Sequence, residues 1–202
     1  MIEIGITGNI GSGKSAVSSY LLEKGYQVVD ADEIVKQIYT DKEYIRQMID
    51  TFGEEITVPE SLEPELDKRK IFDIVFNDKE KLATLDKMVG PFFKAILNRE
   101  LKRLEKESIV FFDIPLLYEK NYQRFMDKVI LVSCDDNIRY ERASKRDNKE
   151  IEEIRIVDKS QMPQEEKKKL ADFVLDNNST LENLYRQIEE TLKQIEDLVQ
   201  NE

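Results

Sequence analysis

The stretch Ile2-Glu3-Ile4-Gly5-Ile6-Thr7-Gly8-Asn9-Ile10-Gly11-Ser12-Gly13-Lys14-Ser15 decides the fold. Ile2, Ile4 and Ile6 read as a short, mostly apolar strand, and Ala16-Val17-Ser18-Ser19-Tyr20-Leu21-Leu22 follows as a helix. Between them stands G-x-x-x-x-G-K-S, the pattern of a phosphate-cradling P-loop in strand–loop–helix context. Glycines at 8, 11 and 13 let the backbone take unusual dihedrals and approach a ligand closely. The loop amides then form a concave nest where a helix N-terminus also presents unpaired N–H groups and partial positive charge. Lys14 is expected to reach the β- and γ-phosphates, and the Ser15 hydroxyl to ligate Mg²⁺. A flexible glycine-rich turn with an incidental lysine is the bland alternative, and the flanking strand and helix argue against it.

Working outward, Gly25 is placed to end the first helix, and Gln27-Val28-Val29-Asp30 reads as a second strand. A β–P-loop–α–β opening within thirty residues predicts a parallel α/β sheet. Ligands in such sheets sit at the carboxyl ends of strands, so Asp30 and Asp32 are expected near the P-loop mouth, pointing the same way if extended. A carboxylate there could order Mg²⁺ through water or accept a proton from an attacking hydroxyl; capping the next helix is the alternative. Ser108-Ile109-Val110-Phe111-Phe112-Asp113 is a continuous apolar strand ending in a carboxylate suited to order Mg²⁺. Residues 128–133 and 173–175 predict the fourth and fifth strands.

Residues 34–107 carry helical apolar spacing (Ile34, Val35, Ile38; Ile45, Met48, Ile49, Phe52; Leu82, Leu85, Met88, Val89) and read as a helical insertion for the second substrate. Lys68-Arg69-Lys70 is its densest basic cluster, explained equally by a solvated helix face. In the charged stretch 139–169, Arg139, Arg142 and Arg146 fall at i, i+3, i+7. That spacing suits a mobile lid that brings guanidinium groups to phosphates; surface pairing with Glu141 or Asp147 is the alternative. Apolar residues at 181, 184, 188, 192, 195 and 199 predict a terminal amphipathic helix packed on the sheet rather than in a coiled coil.

Composition sets the limits. The 202 residues suit one medium domain or one core with insertions, and the net charge of −11 argues against nucleic-acid binding. There is no histidine, which excludes Ser–His hydrolysis, His-ligated zinc and imidazole acid–base chemistry. Cys134 is the only cysteine, so no internal disulfide can form, and a cytoplasmic setting is expected. No basic leader precedes an apolar stretch, and no run approaches the ~20 apolar residues of a membrane span. No guanine-reading Asn-Lys-x-Asp is present.

Several separate motifs carry a resemblance. Ile6 to Ser15 is similar to I/L-T-G-G-I-G-S-G-K-S/T of the dephospho-CoA kinase family, and Val28-Val29-Asp30-Ala31-Asp32 to its V-x-D-A-D. Ile74-Val75-Phe76 resembles the family helix ending in V-F, and residues 113–119 resemble V-P-L-L-F/I-E. Arg142 with Arg146-Asp147 is similar to R-x-x-x-R-D, and residues 171–177 to A-D-x-V-I-x-N. Gly90-Pro91 stands where the family usually has His-Pro, Lys68 where it often has arginine, and Val157 where it has a lid arginine.

The resemblance implies a three-layer P-loop α/β fold of about five parallel strands. Residues 1–33, 108–138 and 170–202 would form the nucleotide core, 34–107 the acceptor insertion and 139–169 the lid. It implies transfer of the ATP γ-phosphoryl group to the ribose 3′-hydroxyl of dephospho-CoA, the alternative being a P-loop kinase of another small alcohol or nucleoside monophosphate. Asp32 would be the base, while Lys14 and Arg142 would steady phosphates. Gly8, Asn9, Ile10, Gly11, Ser12, Gly13, Ser15, Ala16, Arg146 and Asn177 would complete the ATP site, with Asn177 near the adenine. Ser15, Asp32 and Asp113 would serve Mg²⁺. ATP and dephospho-CoA are the expected partners, with no nucleic acid, no membrane, and a monomer in the cytoplasm.

Overall fold

Five stretches rich in β-branched and aromatic residues form strands in the computed structural model, which describes residues 1–59, 61–76 and 78–200, the side chain of Phe76 excepted. Of the V-F end of the family-like helix, Val75 is buried, and the Phe76 side chain lies outside the described residues. The strands are β1 (Ile2–Thr7), β2 (Gln27–Asp30), β3 (Ile109–Asp113), β4 (Lys128–Ser133) and β5 (Phe173–Asp176). The helices are α1 (Lys14–Glu23), α2 (Ala31–Ile38), α3 (Lys42–Phe52), α4 (Lys68–Phe76), α5 (Lys79–Arg103), α6 (Asp136–Asp147), α7 (Ile151–Lys159), α8 (Gln164–Leu170) and α9 (Leu181–Gln200). All strand pairs are parallel, in the order β2-β3-β1-β4-β5. This is the expected α/β class.

Every residue of β3 is buried, as a strand covered on both faces requires. Alternate residues build one face of the core: Ile2, Ile4 and Ile6 of β1 lie with Ile109 and Phe111, Ile130 and Val132, and Leu175. Val17 and Leu21 of α1 and Leu184, Ile188, Leu192 and Ile195 of α9 close that face. The terminal helix thus packs on the sheet, as its spacing predicts. α1 stops where Gly25, at φ +89°, lets Tyr26 N–H reach the Leu21 carbonyl (3.0 Å) and Gly25 N–H the Leu22 carbonyl (3.0 Å). Those two bonds are the Schellman ending.

The chain divides into two compact units, one of Met1–Ala31 with Leu104–Glu202 and one of Asp32–Arg103. In the second, aspartates start three of the helices. Asp41 accepts from the N–H groups of Glu43 and Tyr44 at the head of α3, Asp67 from Arg69 N–H before α4, and Asp78 from Glu80 N–H before α5. Tyr44 is fully buried, with Tyr39 at 5.5 Å and Phe92 at 5.3 Å between ring centroids. The basic triplet is partly committed here: Lys68 Nζ lies 5.2 Å from the Tyr39 ring centre, and Lys70 Nζ donates to the Thr57 carbonyl at 2.8 Å. Gly90 and Pro91 both lie inside the single long helix α5.

One local expectation needs correction. β2 ends at Asp30 and α2 begins at Ala31, so Asp30 and Asp32 are not two positions of one extended segment. Asp30 lies abreast of Asp113 at the carboxyl end of the sheet, and Asp32 sits in the first turn of α2, where a carboxylate complements the helix dipole.

Candidate active site

The path of the loop between β1 and α1 depends on its glycines. Gly11 and Gly13 take φ +76° and +94°, the left-handed region that costs glycine least. A Cβ on Gly11 would lie 2.7 Å from the Arg139 carbonyl carbon, and one on Gly13 would collide with Asn177 Nδ2. Ser12 N–H bonds the Asn9 carbonyl at 3.0 Å and Ala16 N–H the Gly13 carbonyl at 3.0 Å, closing the turn into the helix. The N–H groups of Gly11, Gly13, Lys14 and Ser15 make no hydrogen bond among the described residues. Ser12 Oγ and Asn9 Oδ1 are buried and likewise without a partner there. Amide donors gathered at a helix N-terminus fit an anion such as phosphate.

Asp113, buried at the end of β3, pairs with Lys14 Nζ and accepts from Ser18 Oγ at 2.5 Å. The lysine is thus charge-compensated by the carboxylate at the end of β3. Ser15 is exposed on the first turn of α1. Asn177 joins two further elements: its Nδ2 donates to the Ser12 carbonyl at 2.8 Å, and its own carbonyl accepts from Arg142 Nη1 at 3.0 Å. Arg142 also stands 3.5 Å from Cys134 Sγ, whose pKa is raised by burial, with the guanidinium pulling the other way. So the structure brings Ser12, Arg142 and Asn177 together. Arg146 does not join them, because its guanidinium is taken by Asp147 at 2.7 and 2.9 Å, as in the alternative reading. Asp32 belongs to the second compact unit, as its first residue.

The 139–169 stretch contains α6, α7 and α8, and much of it is tied down. Arg139, the first of the three spaced arginines, is 2% exposed, and its Nη1 and Nη2 grip Asp158 at 2.6 and 2.7 Å. Asp158 also accepts from Asn9 Nδ2 (3.0 Å) and the Tyr140 hydroxyl (2.8 Å). Burial pushes its carboxyl pKa up, yet the hydrogen bonds from Arg139, Asn9 and Tyr140 outweigh that and hold it below the ordinary 3.8. Gln161 Oε1 accepts from Ile10 N–H at 2.9 Å, and the Met162 carbonyl accepts from Asn9 Nδ2 at 3.2 Å. Met162 N–H donates to Glu119 at 2.7 Å, and the same oxygen lies 2.8 Å from Nζ of fully buried Lys167.

Ser18, Asp158 and Lys167 escaped the sequence reading. Ser18 had a signal, since it stands four residues after Lys14 and so shares its helix face. Asp158 lies 19 residues from Arg139 and 149 from Asn9, and no local pattern joins them. Lys167 is one of three consecutive lysines, and nothing in the run marks it for burial.

The family model described as dephospho-CoA kinase matches residues 2–183. The dephospho-CoA kinase of Fusobacterium nucleatum is 41% identical over 190 residues, covering 92% of this chain and 94% of that protein. A crystal structure from Thermus thermophilus superposes with a TM-score of 0.86 at 38% identity, covering 96% of this chain and 97% of the other. The dephospho-CoA kinase of Campylobacter jejuni superposes at 0.70 and 25% identity, covering 96% of each.

Proposed function

The chain belongs to the dephospho-CoA kinase family, and from that premise we propose that it transfers the γ-phosphoryl group of ATP to the ribose 3′-hydroxyl of dephospho-CoA, giving CoA and ADP. The observation that carries the reading is the glycine-lined nest before α1, whose amides at Gly11, Gly13, Lys14 and Ser15 make no bond within the described protein. In the step, the acceptor oxygen bonds to Pγ as the Pγ–O bond to the β-phosphate breaks. The hydroxyl proton passes to Asp32, and ADP leaves with the bridging oxygen. Positioning and charge neutralisation supply most of the acceleration in phosphoryl transfer.

The residues divide the work as follows. The loop from Gly8 to Gly13, with Ser15 and Ala16 at the helix start, holds the phosphates. Lys14 leaves Asp113 for the β- and γ-phosphates, and Arg142 steadies them from α6. Asn177 props the loop at Ser12 and lies by the adenine, and Arg146 is a second lid cation once released from Asp147. For Mg²⁺, the Ser15 hydroxyl and Asp113 would be the ligands, and Asp32 would serve it through water in this reading, because the ion takes few protein oxygens. Bound there it would neutralise developing charge on the β- and γ-oxygens.

The proposed organisation assigns residues 1–33, 108–138 and 170–202 to the nucleotide core, 34–107 to acceptor binding and 139–169 to a lid that excludes water. A monomeric cytoplasmic enzyme belongs to the same reading, and no described helix is long and apolar enough to cross a membrane. Steady-state assays with ATP, Mg²⁺ and dephospho-CoA test the assignment. Turnover is expected, with Asp32→Asn lowering kcat by about 10²–10⁴-fold while ATP affinity holds. Phosphorylation of a different alcohol with none of dephospho-CoA would overturn the acceptor, and unchanged kcat in Asp32→Asn would remove the base.

A further inference from the structure

The tip of the P-loop is gripped from outside itself. Asn9 reaches Asp158 (3.0 Å) and the Met162 carbonyl (3.2 Å) through one amide nitrogen, and Ile10 N–H is capped by Gln161 (2.9 Å). The Ile10 carbonyl accepts a longer bond from Arg139 Nη1 at 3.4 Å. All of these lead to Asp158 or to the α7–α8 connection directly after it. Asp158 is the hub, with two nitrogens of Arg139, one of Asn9 and the Tyr140 hydroxyl on its two oxygens. Arg139 is almost fully buried, so this ion pair is shielded from water and salt in a way the exposed pairs of α6 and α7 are not.

We propose that Asp158 is a positioning residue for ATP binding, a latch that fixes the P-loop tip through Asn9 so that the phosphate nest exists before the nucleotide arrives. The inference rests on the ATP-kinase reading above. A segment with glycines at 8, 11 and 13 has unusually many conformations to lose, and ordering it on binding subtracts from affinity. The latch supplies that order in advance. It also spends the Ile10 N–H on Gln161, which fixes the loop just ahead of the unbonded amides of Gly11, Gly13, Lys14 and Ser15. The hydrogen-bond partners of Asp158 are Arg139, Asn9 and Tyr140, none of which is assigned above to acceptor binding. Its loss therefore affects ATP and leaves dephospho-CoA recognition alone.

The test uses the full chain and three variants: Asp158→Asn, Asn9→Ala and the double. A non-hydrolysable ATP analogue is titrated calorimetrically, KM is measured for both substrates, and the ligand-free melting temperature is recorded. Each single variant is expected to raise the analogue Kd and the KM for ATP about tenfold, with the KM for dephospho-CoA within about twofold. The double is expected to be no worse than the worse single, because both cut one connection. A lower melting temperature with unchanged analogue Kd would make the cluster a structural ion pair only and overturn the proposal, as would additive effects or equal rises in both KM values. If Asp158→Asn does not fold, Asn9→Ala leaves no buried charge unpaired and decides alone: an unchanged Kd sinks the latch. Wild type that binds the analogue but does not phosphorylate dephospho-CoA would defeat the functional reading, while the Kd comparison would still judge the latch.

Discussion

Gly13 and Gly25 have nearly the same left-handed backbone, φ +94° and +89°, but different surroundings. A Cβ at Gly13 meets Asn177 Nδ2, the group that supports Ser12, whereas nothing lies within 4 Å of one at Gly25. Gly25→Ala therefore carries only the backbone penalty, about 1 kcal/mol, and leaves ATP affinity unchanged. Gly13→Ala carries that penalty and displaces Asn177 as well, so a loss of about 2–3 kcal/mol is expected together with weaker binding of an ATP analogue. Denaturant unfolding and analogue titration of the two variants check the contrast; equal stability losses with equal affinities would refute it. At this scale the sequence was informative wherever chemistry is local. The P-loop glycines, Lys14 and the Asp at the end of β3 could be read directly because their spacing is the mechanism. Asp158 could not, since its meaning depends on Asn9 and Arg139, which only the fold brings to it.

Helix α9 shows how far periodicity reaches at the scale of elements. Of the apolar positions that predict it, Leu184, Ile188, Leu192 and Ile195 are buried in the core beside α1 and the sheet, while Leu181 is 53% exposed, at the first position of the helix. Leu184→Ala opens a hole under β5 and is expected to cost about 2–5 kcal/mol, whereas Leu198→Ala, on the exposed side, should stay within about 0.5 kcal/mol. Urea unfolding measures both, and a small effect at Leu184 would mean that α9 is not part of the core. The α6–α8 stretch was harder to read. Its charge pattern predicts helices, and helices form, but it also predicts a solvated face, and Arg139 and Lys167 are instead buried. Long-range partners, Asp158 for one and Glu119 for the other, reverse the usual preference of these side chains for water. At the β2–α2 junction the helix starts at Ala31, so Asp32 belongs to a first turn rather than a strand end, a boundary no period resolves.

For the molecule as a whole, the difficulty is charge. In the proposed function a chain of net −11 binds a polyanion, so the attraction would have to be local, from oriented amides and the proposed Lys14 and Arg142, rather than from a general field. Such binding stabilises the folded chain only through the nest, and this gives a test that needs no turnover. A non-hydrolysable ATP analogue at about one hundred times its Kd adds about 2.7 kcal/mol to folding stability. For a chain of this size that corresponds to a rise of about 5–10 °C in Tm. Lys14→Ala removes the one ammonium group in the loop and leaves Asp113 with its Ser18 hydrogen bond. The variant is therefore expected to fold, yet to lose nearly all of the ligand-induced rise at the same analogue concentration. A full rise in Lys14→Ala would mean that the nucleotide is held elsewhere, and the electrostatic argument for an anion site in an acidic protein would have to be rebuilt on other cations.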